Sequence, residues 1–248
     1  MAKKVSTKIS HPTLEEIRKL MDKLNCKYDR YQVLTDIFEM TAIGISNHTD
    51  LRPDVWNRRE ENYKALMERY ELKDRLILVE IFGKLFDLLT DMVDKGFDDY
   101  LGKLYMMSGT SNDKAGQFFT PYNVSKMCAQ TVLSSRKIEE HKASGEVITI
   151  TEPACGSGGM LVAALDALWN EHEFNYANNV YIDCGDVDRR CVHMCYIQLS
   201  LAGVPAVVRH TNTLTLEQWD EWHTPALILQ WSKFEQYYRS GGKPRQTT

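Results

Sequence analysis

Thr151-Glu-Pro-Ala-Cys-Gly-Ser-Gly-Gly-Met160 lies between two segments of different periodicity. Before it, Val147-Ile-Thr-Ile-Thr151 is a short β-branched run that predicts a strand, and after it the apolar stretch from Met160 to Trp169 predicts a helix. A Gly-rich turn at the carboxyl end of a strand lets a ligand approach bare backbone, and the helix that follows offers free N–H donors. Gly156, Gly158 and Gly159 suit that close approach. Glu152 places a carboxylate there, which favours a cationic amino group over a phosphate. The ligand chemistry expected is therefore an amino-acid-bearing nucleotide rather than a dinucleotide.

Downstream the alternation continues. Val180-Tyr-Ile-Asp-Cys184 reads as a second strand and is followed by a helix through Met194 and Leu201. Ala206-Val-Val-Arg209 reads as a third strand and Ala226-Leu-Ile-Leu-Gln230 as a fourth. Strands alternating with helices call for a parallel, doubly wound sheet with right-handed crossovers, an α/β class. Upstream the pattern is helical. Thr13 with Glu16 three residues on suggests a capping box, Leu34, Phe38, Ala42 and Ile45 mark one helix face, and Pro53 suits a first turn. Leu76, Val79, Phe82 and Phe86 recur at helical spacing between Leu72 and Val93. The polar, glycine-containing stretch from Ser108 to Gly116 breaks this pattern, giving a helical N-terminal domain over residues 1–108 and a sheet domain over 109–248. A loose tail is expected from Ser240 to Thr248.

The 248 residues are 43% hydrophobic and 26% charged, which suits a globular protein with a sizeable core. A net charge of -4 gives no bulk electrostatic footprint for nucleic acid, so any DNA contact is expected to be weak or to run through a partner. The N-terminal Met1-Ala-Lys-Lys-Val has no apolar signal core behind it, and no apolar run approaches the roughly 18–20 residues of a membrane span, so a cytoplasmic protein with no membrane contact is expected. The six cysteines, at 26, 128, 155, 184, 191 and 195, contain no Cys-x-x-Cys pair and read as reduced thiols. Cys191, His193 and Cys195 suggest zinc only superficially, because His193 points elsewhere on a predicted helix, and no metal site is expected.

Glu152-Pro-Ala-Cys-Gly-Ser-Gly-Gly-Met160 resembles the cofactor motif of the N6-adenine DNA methyltransferases, in particular the modification (M) subunit of type I restriction–modification systems. Gly116-Gln-Phe-Phe-Thr-Pro121 is similar to the segment that in that family closes over the methionine part of S-adenosylmethionine, and Asp98-Asp-Tyr-Leu-Gly-Lys-Leu-Tyr105 resembles the end of its helical N-terminal domain. The likeness is good over about residues 70–214. It implies a Rossmann-like, S-adenosylmethionine-dependent methyltransferase domain that is truncated. Glu152, Pro153, Cys155, Gly156, Ser157 and Gly158 would hold the cofactor. Phe118, Thr120 and Pro121 would close over it, Asp186 would accept ribose hydroxyls and Asn212 would flank the adenine.

Family members carry Asn- or Asp-Pro-Pro-Phe or -Tyr after their fourth strand, where side-chain and carbonyl oxygens accept the protons of a poorly nucleophilic amino group and the ring stacks on an extruded base. This chain has no Pro-Pro, and Trp231, Ser232, Lys233 and Phe234 stand at the corresponding place. No catalytic residue is therefore assigned, and methyl transfer by the chain alone is not expected. About 18 residues beyond Gln230 cannot complete the family's larger sheet, so the fourth strand is expected at an edge, covered by a second copy of the chain or by a restriction–modification subunit. Two rival functions follow: an active adenine methyltransferase completed by a partner chain, or an interaction protein that has lost the cofactor.

Overall fold

The computed structural model describes residues 11–90, 92–108 and 119–241. Helix α1 spans Pro12–Asn25. It starts one residue before the expected cap: Pro12 presets the first turn and the His11 ring accepts from the Thr13 amide at 3.3 Å. Its buried residues, Leu14, Ile17, Leu20, Met21 and Leu24, share one stripe. Helix α2 (Arg30–Asn47) is capped by Asp29, which accepts from the Gln32 amide, and Leu34, Phe38 and Ala42 are buried as their spacing implies. Helix α3 (Pro53–Glu68) starts at Pro53.

Helix α4 (Leu72–Thr90) departs from expectation. Leu76, Val79 and Phe86 face outward, whereas Leu78, Ile81, Leu85, Leu88 and Leu89 are buried. The helix is apolar on two faces, and periodicity alone cannot choose which one the neighbouring helices cover. A single turn α5 (Met92–Lys95) leads to α6 (Tyr100–Met107). The domain boundary expected at 108/109 adjoins residues outside the described set. Helices α7 (Tyr122–Val132) and α8 (Ser135–Ser144) then lead to the sheet.

Strand β1 (Ile148–Glu152) enters the glycine-rich turn, then α9 (Gly159–Asp166), which runs into a π-helical turn at Ala167–Glu171. The chain continues through the short α10 (Tyr176–Asn179), β2 (Val180–Asp186), α11 (Arg189–Leu201) and β3 (Ala206–Asn212). The hairpin strand β4 (Glu217–His223) and helices α12 (Pro225–Leu229) and α13 (Trp231–Arg239) follow. The sheet order is β1-β2-β3-β4, with β1, β2 and β3 parallel and β4 antiparallel to β3. Residues alternate between two cores along the strands. Val180, Ile182, Cys184, Ala206 and Val208 join the large cluster beneath α11 and the N-terminal helices, while Tyr181 and Val207 join Leu227 and Phe234 on the opposite face. Helix α11 packs against α2, so the large cluster is continuous from Leu14 to Trp222.

The fourth strand is not where the apolar pattern put it. Ala226-Leu-Ile-Leu lies in helix α12, because Pro225 occupies its first turn and the Thr224 hydroxyl accepts from the Leu227 amide at 3.4 Å. The strand is instead the charged Glu217-Gln-Trp-Asp-Glu-Trp-His223. Its acids are matched by arginines: Arg58 reaches Asp220 at 2.8 Å, and Arg52 and Arg209 reach Glu221 at 3.3 and 2.8 Å. Buried Arg59 lies 3.6 Å from the centre of the Trp222 ring and donates to the Glu221 carbonyl at 2.8 Å. This docks α3 on the edge strand. The sheet is thus mixed, and the covered edge expected at residues 226–230 does not exist.

Burial opposes ionisation of Glu221, but hydrogen bonds from His223 and Tyr238 and the charge of Arg209 outweigh it, bringing the carboxyl down to about 2. A carboxylate stabilised in this way contributes above its unfolded pKa, and the contribution fades as pH falls from about 4.5 through about 2. Urea unfolding of Glu221→Gln between pH 2 and 7 should therefore give a flatter acid limb than the wild type. Parallel acid limbs would remove Glu221 from this role.

Candidate functional site

The turn between β1 and α9 is held by hydrogen bonds to the end of β2 and within the turn itself. The Cys155 amide donates to the Gly185 carbonyl at 2.9 Å, the Gly156 amide to the Asp186 carboxylate at 2.9 Å, and the Gly158 amide to the Cys155 carbonyl at 2.8 Å. Gly156 has φ +54° and Gly158 φ +94°, conformations that disfavour a side chain. A Cβ on Gly158 would stand 3.1 Å from the Cys195 sulfur, and one on Gly156 3.2 Å from the Phe119 ring. The glycines are therefore required by the turn itself.

Ser157 anchors the turn from below. Its hydroxyl donates to buried Asp99 at 2.6 Å, and Asp99 also accepts from the Gln198 amide group and the Gly102 backbone, each at 2.9 Å. Gln198 donates in addition to the Ser157 carbonyl at 2.7 Å. Burial pushes the Asp99 carboxyl up from its ordinary value, against the lowering pull of these hydrogen bonds. Gly102 and Gly159 crowd the carboxylate so closely that a Cβ on either would fall within 3 Å of Oδ2. Asp99 thus ties α6, the turn and α11 together. Sequence reasoning passed over it, although an Asp heading Tyr-Leu-Gly at a helix start carried a capping signal.

The other assigned residues are dispersed around this turn. A cavity of about 120 Å³ is lined by Asp99, Phe119, Thr120, Ser125, Ala154, Cys155, Gly156, Ser157, Gly159 and Met160. It includes Thr120, Cys155, Gly156 and Ser157 from the expected set, while Pro121 caps α7 next to it. Phe118 lies outside the described residues, and its neighbour Phe119 is the ring that meets the turn. Glu152 accepts from the Ala154 amide at 3.1 Å and lines a different groove, of about 410 Å³, alongside β1. Pro153 accepts from the Thr213 hydroxyl at 2.7 Å. Asp186 uses one oxygen for Gly156 and the other for the Asp188 amide, at 2.8 Å. Asn212 accepts from the Leu214 and Thr215 amides, the geometry of a turn residue.

Trp231, Ser232, Lys233 and Phe234 open helix α13, away from the glycine turn. Phe234 is fully buried and stacks on Tyr181, Trp231 stacks on His223, and Lys233 donates to the Asn178 carbonyl. The expectation that they follow a strand end is corrected: Phe234 joins the core on the opposite face of the sheet with Trp231 packed against it, while Ser232 and Lys233 are exposed.

A parallel β-strand, a glycine turn pinned to an acid at the end of the next strand, and a helix running back beneath the sheet define a Rossmann-like fold. The profile of the N-6 DNA methylases matches residues 96–246, and the chain belongs to that family of S-adenosylmethionine-dependent enzymes. It is 25% identical over 222 residues to the type I restriction enzyme EcoEI methylase subunit of Escherichia coli, covering 85% of this chain and 36% of that protein. It is 36% identical over 112 residues to the type II methyltransferase M.MamI of Microbacterium ammoniaphilum, covering 44% of this chain and 28% of that one. A solved type I restriction-modification methyltransferase subunit from Streptococcus thermophilus superposes with a TM-score of 0.43 at 16% identity, covering 84% of this chain and 59% of that one. The chain spans about a third of the length of these curated relatives. Among the described residues, no helix is long and apolar enough to cross a membrane.

Proposed function

We propose that this chain is the cofactor-holding part of an adenine-N6 DNA methyltransferase of the type I modification kind, and that it binds S-adenosylmethionine without methylating DNA by itself. The observation that carries this reading is the pinned turn, with Gly156 and Gly158 held at positive φ and Gly156 bonded to Asp186. The residues fit the amino-acid end of the cofactor. The cavity of about 120 Å³ corresponds to roughly four water volumes, which suits that fragment and leaves the nucleoside to the open strand ends. When bound, the cofactor supplies an electrophilic methyl group. We assign Asp186 to its ribose and Asn212 to the edge of its adenine, with Phe118, Thr120 and Pro121 as the covering segment; Glu152 lines the groove along β1 rather than this cavity and is not assigned to the ammonium.

Methyl transfer also needs acceptors for the protons of the base amine. The chain holds no Asn- or Asp-Pro-Pro-aromatic sequence to supply them, and the aromatic residue at that place, Phe234, is packed in a core on the opposite face of the sheet. The partner we assign is a protein that completes the sheet, as in a restriction–modification assembly. Among the described residues strand β1 pairs only with β2, and the groove of about 410 Å³ along its other side is lined by Ile148, Ile150, Ala129, Val132, Leu133 and Ile138 among others. This edge replaces the one the sequence placed at residues 226–230.

Calorimetric titration of the purified chain with S-adenosylmethionine should show one site, weakened at least tenfold in Asp186→Ala. The same protein should transfer no labelled methyl group to DNA. Absence of heat at millimolar cofactor would reject binding, and transfer by the chain alone would reject the missing catalytic step.

A further inference from the structure

Three cysteines from three different elements converge beneath the glycine turn. Cys155 lies in the turn, Cys184 on β2 and Cys195 on α11, and all three are buried. Their sulfur atoms lie within 4.8 Å of one another, and those of Cys184 and Cys195 are 3.8 Å apart. The spacing Cys191-x-His193-x-Cys195 had drawn attention to a different set. In the fold His193 packs edge-on against Trp222, and neither of its ring nitrogens has a hydrogen-bond partner among the described residues.

We propose that Cys155, Cys184 and Cys195 form a binding site for a thiophilic divalent d10 cation of the zinc class. A metal–sulfur bond of about 2.3 Å in a three-coordinate site places the sulfurs about 4 Å apart, close to the separation already present. Among the described residues no carboxylate or imidazole joins the cluster, so the donor set is all thiolate and selects a soft ion over magnesium or calcium. A dication leaves one net negative charge on three thiolates, whereas a monovalent ion leaves two. Burial penalises the larger charge, and the divalent ion is favoured. Binding exchanges thiol protons for the metal, so affinity rises with pH. Because Cys155 is flanked by Ala154 and Gly156, an ion there would join the turn to β2 and α11 without touching the methyl-transfer chemistry.

The test is titration of the fully reduced chain with cadmium(II) under anaerobic conditions, following thiolate-to-cadmium charge-transfer absorption, with zinc(II) as competitor. One equivalent is expected to bind. The band should be displaced by zinc, weakened at least 100-fold in Cys184→Ser and in Cys195→Ala, and unchanged in Cys26→Ser and Cys128→Ser. Circular dichroism selects the folded variants, and Cys195→Ala serves if Cys184→Ser does not fold. No stoichiometric band in the wild type, or a band that persists in a folded Cys184→Ser or Cys195→Ala protein, would show that the three thiols only fill space. The readout needs neither S-adenosylmethionine nor DNA, so its failure leaves the cofactor reading intact.

Discussion

Asp99→Ala is expected to lower stability by about 3 kcal/mol or more. The substitution strips the partner from three donors at once, the Ser157 hydroxyl, the Gln198 amide group and the Gly102 backbone, at a buried position. A buried donor left unsatisfied costs about 1–3 kcal/mol, and loss of the α6 cap adds about 1 more, offset in part by relaxation. For a chain of this size the melting temperature should fall by roughly 6–12 °C. Asp99→Asn keeps an acceptor and the shape and should lose clearly less. Its pH dependence carries a sign: because burial raises the Asp99 carboxyl in the fold, the folded state holds the proton more tightly than the unfolded one. The contribution of Asp99 is therefore fullest below the ordinary carboxylate range and declines as pH rises through its folded value, a decline that Asp99→Asn should abolish. Urea unfolding measures both effects, and an alanine variant within about 0.5 kcal/mol of wild type would remove Asp99 as the anchor of the turn.

The second large effect is expected at Gly158. An alanine there must adopt φ +94° and place its Cβ 3.1 Å from the Cys195 sulfur and 3.3 Å from the Cys195 backbone. Left-handed backbone alone costs about 1–2 kcal/mol, and the contact with a helix backbone that cannot move aside brings the total to about 2–3 kcal/mol. Shifting the turn should also weaken S-adenosylmethionine binding more than tenfold. Gly145→Ala is the control, since Gly145 has φ +70° with nothing within 4 Å of its Cβ position and so carries strain without a clash. Equal losses from the two substitutions would mean that the turn tolerates displacement.

What was legible in the sequence depended on how local the determining interaction was. The strand–turn–helix at 148–166 could be read because the glycines, the β-branched strand and the apolar helix are contiguous, and Asp186 followed from its place at the end of the next strand. Asp99 was not legible as a site residue because its partners Ser157 and Gln198 lie 58 and 99 residues away. Strand β4 escaped notice for the same reason: a run as charged as Glu217-Gln-Trp-Asp-Glu-Trp-His223 becomes a strand only when arginines of α3, some 160 residues earlier, meet its acids. The apolar run at 226–229 misled because hydrophobicity was weighed above the Thr-Pro start signal that precedes it. On α4 the outward stripe of Leu76, Val79 and Phe86 was chosen because two apolar faces compete on one helix.

The pinned glycine turn is the proposed entry point of the cofactor. Amide NMR of the isotope-labelled chain during S-adenosylmethionine titration tests it residue by residue. The Gly156 and Gly158 amides should shift, together with those of Asp186 and Asp188, while the amides around Phe234 on the opposite face stay in place. Saturating cofactor that leaves Gly156 and Gly158 unmoved would exclude the turn as the binding site.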